Sequence, residues 1–213
     1  LAALCAQAIT SIGMRLTATG LASERGGRPV FDGVSFDIGD GDLFTVTGPN
    51  GAGKSTLLRI LAGLLPETAG TIALDPDPDA ARGTQMHYLG HRDGLKAALS
   101  VRENIEFWRR TAGATGLDPI AALERVRLPH LIDLPAAYLS AGQKRRVAIT
   151  RLLAVARPIW LLDEPTAALD AQSEIELGGI IAGHIEGGGI VVAATHLKLP
   201  VPATKTIALG AAP

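Results

Sequence analysis

Residues 48–56 read Gly-Pro-Asn-Gly-Ala-Gly-Lys-Ser-Thr, a match to G-x-x-x-x-G-K-[ST]. Glycines at this spacing let consecutive backbone N–H groups wrap a polyphosphate, and a helix starting at the loop adds the positive end of its dipole. Lys54 supplies the charge that reaches β- and γ-phosphates, and the Ser55 hydroxyl is a hard oxygen suited to Mg²⁺. A second cluster is Ile159-Trp160-Leu161-Leu162-Asp163-Glu164, an apolar run ended by two carboxylates. A buried parallel strand delivers its last residues to the carboxyl edge of the sheet, where ligands bind. Asp163 would hold Mg²⁺ there, directly or through water, and Glu164 would polarise an attacking water. The third cluster is Leu139-Ser140-Ala141-Gly142-Gln143, ahead of the basic Lys144-Arg145-Arg146. Ser140 and Gly142 at a helix start offer a hydroxyl and free backbone N–H groups to an anion.

These groups need elements to hold them. Leu43-Phe44-Thr45-Val46-Thr47 predicts a short buried strand entering the loop, and residues 57–63 carry helical spacing after it. Residues 16–21 and 34–38 alternate, with the turn-like Arg25-Gly26-Gly27-Arg28-Pro29 between them, which predicts an antiparallel pair ahead of the nucleotide core. Further strands are expected at 71–74, 85–89, 159–162, 190–194 and 204–209, with a surface loop over 75–83. The pattern turns helical from about 92 to 137, and two more helices are expected at 141–156 and 171–185. Strands and helices alternating on both sides of a helical insert predict an α/β fold with a mostly parallel sheet.

Composition narrows the class. The chain is 47% hydrophobic and 19% charged, which suits a buried sheet and excludes a disordered polymer. Net charge is −1 and no basic block occurs, so no nucleic-acid partner is expected. The single cysteine, Cys5, excludes an intrachain disulfide framework and fits a reducing compartment. There is no run of 18 apolar residues with which to cross a membrane. Residues 1–13 are apolar but lack the basic start of a secretion signal, and Met14 reads as the functional start with an extension upstream. His87, His130 and His184 lack metal-ligand spacing and are expected on the surface or on helix faces. Trp160 is expected in the core, and Trp108 is expected to pack within the helical insert.

The ordered set of 48–56, 139–143 and 159–164, joined by Ala168-Leu169-Asp170 and Ala194-Thr195-His196, resembles the ATPase subunits of ATP-binding-cassette transporters. The resemblance covers nearly all of 14–209. It implies a P-loop NTPase (RecA-like) core within a single domain over 14–210, with a helical subdomain inserted at about 92–138. It also implies ATP and Mg²⁺ as cofactors, and a head-to-tail homodimer enclosing each ATP between one chain's phosphate loop and the other's signature loop. Gly48, Pro49, Asn50, Gly51, Ala52, Gly53, Lys54, Ser55 and Thr56 would then bind nucleotide. Ser140, Gly142 and Gln143 would act on the partner's nucleotide, and Asp170 would belong to the D-loop. Lys54, Glu164 and the switch histidine His196 would carry catalysis, with Ser55 and Asp163 on the metal.

Two positions depart from the family pattern. His91 stands where a glutamine usually joins the metal site to the helical subdomain, and Arg25 stands where an adenine-stacking aromatic is usual. A guanidinium can itself stack on a purine. Leu89-Gly90-His91 followed by Gly94-Leu95-Lys96, and residues 103–108 and 138–146, are similar to the cytochrome c biogenesis ATPases. That resemblance implies a peripheral place on the cytoplasmic face of the bacterial inner membrane, an integral CcmB-like membrane partner and further cytochrome c maturation membrane proteins. The implied work is ATP hydrolysis coupled to haem export or to release of a haem-carrying chaperone. An exporter ATPase for another substrate is the alternative. Cassette ATPases acting on ribosomes or DNA usually carry two cassettes, coiled-coil inserts or basic extensions, which this chain lacks. A non-hydrolysing module is disfavoured by intact Lys54, Asp163, Glu164 and His196.

Overall fold

The computed structural model describes residues 13–77 and 81–210; Cys5 and the rest of the expected extension before Gly13 lie outside the described residues. Strands β1 (Arg15–Arg25) and β2 (Arg28–Gly39) pair antiparallel, with Leu16 opposite Ile38 and Leu21 opposite Val34. Both strands run longer than the alternating stretches, because register shifts between Ala18 and Leu21 and between Leu21 and Ser23 interrupt the period of two. After β3 (Leu43–Thr47) and α1 (Lys54–Leu61) comes β4 (Ala69–Asp75), which joins the other edge of β1 and completes a sheet of order β2-β1-β4.

A single turn of helix, α2 (Arg82–Gln85), occupies the end of the segment expected to be loop and leads into β5 (Met86–Leu89). The Arg82 guanidinium donates to the Ile60 carbonyl at 2.8 Å, tying this turn to α1. The helical stretch that follows holds α3 (Val101–Ala112), α4 (Pro119–Arg125) and α5 (Ala141–Ala154). The chain then runs through β6 (Ile159–Asp163), α6 (Ala171–Glu186), β7 (Ile190–Ala194) and β8 (Lys205–Ala208).

The second sheet is wholly parallel in order β5-β6-β7-β3-β8. Every residue of β6 and β7 is buried. Strands covered on both faces must be apolar throughout, which is why they read as unbroken apolar runs. Leu57, Leu58, Ile60 and Leu61 of α1 lie in one core with Phe44, Val46, Leu161 and Val192, and with Leu16, Leu21 and Ile38 of the antiparallel sheet.

The chain divides into two compact units: Leu1–Gly90, Pro158–Pro165 and Ile181–Pro213 in the first, His91–Arg157 and Thr166–Ile180 in the second. In the second, Ser100 and Glu103 form a capping box on α3, and Asp118 caps α4 with Pro119 at its first turn. The buried Asn104 amide donates to the carbonyls of Lys96, Leu99 and Ser100, pinning the approach to α3. Trp108 is buried with the Arg151 guanidinium over its ring, in keeping with a packing role.

His130 is exposed, but His87 is not at the surface or on a helix. It is buried on β5 opposite Trp160 of β6, because β5 is covered on both sides. His184, on α6, stacks on the core residue Trp160 at 3.7 Å between ring centroids and 7° between planes. Burial lowers its pKa to about 4.

Candidate nucleotide-binding site

Strands β6, β7 and β3 are neighbours in one parallel sheet, so their carboxyl ends lie side by side. That adjacency gathers residues more than a hundred positions apart. β3 feeds the loop 48–53, β6 ends on Asp163 with Glu164 next, and β7 leads to Thr195 and His196. Gly53 sits at the start of α1 with a left-handed backbone (φ 94), and no side chain caps this helix. By contrast α3, α4 and α5 each carry a side-chain cap. An uncapped helix start leaves backbone N–H groups for an anion.

Pro49, Asn50 and Gly51 form the exposed crest of the loop, while Gly48, Ala52, Gly53 and Thr56 are half-buried. The buried Lys54 folds back, its Nζ donating to the carbonyls of Gly48 at 2.7 Å and Pro49 at 3.1 Å. A Cβ on Gly53 would lie 2.7 Å from Val30 Cγ1 and 2.9 Å from Phe31 Cδ1, so β2 closes tightly over the back of the loop. Nothing in the alternation of β2 marks Val30 and Phe31 for this position.

The Ser55 hydroxyl donates to Asp163 Oδ1 at 2.8 Å. The other carboxylate oxygen, Oδ2, accepts from the Tyr88 hydroxyl at 3.1 Å, and Arg59 Nε donates to that hydroxyl at 3.3 Å. Burial raises the Tyr88 pKa, so the phenol keeps its proton, and its hydrogen bond raises that of Arg59. Tyr88 and Arg59 were not foreseen from the sequence; the one available signal was that Ser55 and Arg59 stand four apart on α1, hence on one face.

Ser55 and Asp163 fit a Mg²⁺ site in their chemistry: both are hard oxygen donors, already within hydrogen-bond reach. Among the described residues no group of three or more His, Cys, Asp and Glu assembles as a metal cage. An ion held by few protein oxygens takes the rest from phosphate and water, the usual habit of Mg²⁺.

Glu164 has a left-handed backbone (φ 47), and its N–H donates to the Ala194 carbonyl at 2.9 Å. Its Oε1 lies 2.9 Å from Nδ1 of His196, whose side chain is 57% exposed. With the proton on Nδ1, His196 donates to Oε1 and orients the Glu164 carboxylate.

The remaining candidates belong to the second unit. Ser140 and Gln143 form a reciprocal capping box on α5: the Gln143 N–H donates to Ser140 Oγ at 3.2 Å, and the Ser140 N–H donates to Gln143 Oε1 at 2.8 Å. Gly142 is closely approached, since a Cβ there would lie 3.1 Å from the Ala168 carbonyl oxygen. Asp170 accepts from the Ser173 N–H at 2.8 Å, and bonds from Ser173 hold its carboxyl below the usual carboxylate range. His91 is exposed, and Arg25 is exposed at the end of β1.

Comparison with known proteins agrees with this geometry. The family model described as ABC transporter matches residues 31–167. The chain is 53% identical over 202 residues to the cytochrome c biogenesis ATP-binding export protein CcmA of Chelativorans sp. (strain BNC1), covering 93% of this chain and 99% of that one. It is 52% identical over 200 residues to the CcmA of Rhodopseudomonas palustris (strain BisB5), covering 93% of this chain and all of the relative. Among solved structures it is similar to a putative ABC transporter ATP-binding protein from Pyrococcus furiosus, with TM-score 0.81 and 25% identity over 92% of this chain and 97% of that one. It is also similar to cbiO1 of Clostridium perfringens, part of the ABC transporter complex cbiONQ, with TM-score 0.74 and 27% identity over 91% and 84% of the two chains.

Proposed function

The chain belongs to the ABC transporter family of ATP-binding subunits, and from that premise we propose how its residues divide the work. It is the ATP-binding, ATP-hydrolysing subunit of a cytochrome c biogenesis ABC transporter. The bond between Ser55 and Asp163 carries the assignment of roles, because it joins the phosphate loop to the end of β6. The loop of Gly48, Pro49, Asn50, Gly51, Ala52, Gly53 and Thr56 wraps the phosphates through its backbone N–H groups, to which Pro49 contributes none, and through the α1 terminus, and Lys54 exchanges its carbonyl partners for phosphate oxygens. Ser55 and Asp163 hold Mg²⁺, which when bound draws charge from the phosphates. Glu164, oriented by His196, takes a proton from the attacking water.

Ser140, Gly142 and Gln143 act across a head-to-tail homodimer on the nucleotide of the second copy, with Asp170 at the same junction. The Ser140 hydroxyl accepts from Gln143, which leaves its own proton to donate to a phosphate oxygen. His91 takes the glutamine's part in linking nucleotide state to the helical stretch 92–138. Subunits of this family work with membrane partners, and here the partner is an integral CcmB-like subunit contacted through 92–108, with further cytochrome c maturation proteins beyond it. No helix among the described residues is long and apolar enough to cross a membrane; in this reading the chain attaches through that partner, at the cytoplasmic face of the inner membrane. The coupled work is haem export or release of a haem-carrying chaperone.

The test is Glu164→Gln in the assembled complex. ATP stays bound while phosphate release falls about 10²-fold or more, the scale of losing a catalytic base. Turnover close to wild type would remove Glu164 from that role.

A further inference from the structure

Resting on the Mg²⁺ role proposed above for Asp163, we infer that Tyr88 is a positioning residue for that carboxylate, and that Gly90 is glycine to give the Tyr88 hydroxyl its place. Three observations converge. The Tyr88 hydroxyl donates to Asp163 Oδ2 at 3.1 Å while Ser55 holds Oδ1 at 2.8 Å, so both oxygens are fixed and the plane of the carboxylate is set. Arg59 Nε donates into the Tyr88 oxygen at 3.3 Å. A phenol has one proton, and with a cationic donor on its oxygen that proton points at the carboxylate.

The third observation is the space around Gly90. A Cβ built there would lie 2.9 Å from Tyr88 Cε1, 3.0 Å from its hydroxyl oxygen and 3.1 Å from Cζ. The ring therefore leans into the space that a side chain at position 90 would fill. Tyr88 sits on β5 beside β6, opposite Leu161, so the strand pairing that carries Asp163 also carries its orienter. A carboxylate free to turn about its last torsion presents oxygen to a metal only part of the time. Partners of this kind outside the ligand set cost about 10–100-fold in metal affinity when removed.

The experiment measures Mg²⁺ dependence, not turnover. ADP binding to the whole chain is followed by a fluorescent ADP analogue and by thermal unfolding, with Mg²⁺ titrated from zero, for wild type, Tyr88→Phe, Gly90→Ala, Arg59→Ala and Asp163→Asn. Tyr88→Phe is expected to keep the Mg²⁺-free ADP affinity while the Mg²⁺ concentration of half-effect rises about 10-fold. Gly90→Ala, which keeps the hydroxyl but displaces it, should shift the half-effect in the same direction. Arg59→Ala should have little further effect once Tyr88→Phe is present. A wild-type half-effect in Tyr88→Phe, beside an Asp163→Asn variant that has lost its Mg²⁺ response, overturns the role of Tyr88 alone. An Asp163→Asn variant that still responds like wild type overturns the metal role of Asp163 and this inference with it.

Discussion

Gly53→Ala and Gly51→Ala together separate two costs that are usually confounded. Both glycines have left-handed backbones in the same loop, with φ 94 at Gly53 and φ 86 at Gly51. Around Gly51 a Cβ would meet nothing within 4 Å, whereas at Gly53 it would lie 2.7 Å from Val30 Cγ1 and 2.9 Å from Phe31 Cδ1. Gly51→Ala therefore adds only the strain of an L-residue in this region, about 1–2 kcal/mol. Gly53→Ala adds overpacking of about 1–3 kcal/mol on top, because Val30 is β-branched and cannot turn aside without moving β2. The assay is urea unfolding of the nucleotide-free chain, comparing midpoints at constant m. Val30→Ala in the Gly53→Ala background removes the nearer methyl and should return part of the extra loss. Equal destabilisation by the two alanines would refute the contact between β2 and the loop as the reason for glycine at 53.

His196→Ala should lower ATP turnover of the assembled complex by about 10²-fold with nucleotide affinity retained, checked by phosphate release and by binding; an unchanged rate would detach His196 from Glu164. Ser140→Ala should cost about 1 kcal/mol of stability through the lost cap on α5, leave ADP binding to a single chain intact and depress turnover only in the assembled transporter. The lowered pKa of His184 makes the folded state hold fewer protons than the unfolded chain between about 4 and the ordinary histidine value of 6.5. Stability should therefore rise with pH through that window and be lost on acidification, by about 3 kcal/mol in all. His184→Phe, which keeps a ring against Trp160, should flatten that slope in urea midpoints measured from pH 4 to 7.

What could be read in the chain followed from burial. The apolar runs of β3 and β7 needed no context, because strands covered on both faces leave no alternation to misplace. The same property hid His87: a polar residue inside a doubly covered strand has no patterned face to reveal its burial. Strands β1 and β2 ran past their alternating stretches because bulges shift parity, and the place of β4, expected as a strand at 71–74, on the β1 edge follows from pairing, which a single segment does not encode. In the site, recognisable spacing marked Ser55 and Asp163, which the fold brings within 2.8 Å of each other. The contributions of Tyr88, Arg59 and Val30 depend on distances across strands and helices that are remote in sequence, so no motif announces them.

Glu164 holds φ 47 immediately before Pro165, a backbone state that a residue with a Cβ occupies at a cost on the order of 1 kcal/mol or more. Glycine at 164 would relax that backbone and remove the carboxylate at the same time. On the catalytic role proposed for Glu164, heat resistance and turnover therefore select opposite residues at this one position. A laboratory evolution experiment that scores this chain on melting temperature alone would enrich dead enzyme at residue 164, and would do so most strongly where no membrane partner or nucleotide is present to reward hydrolysis.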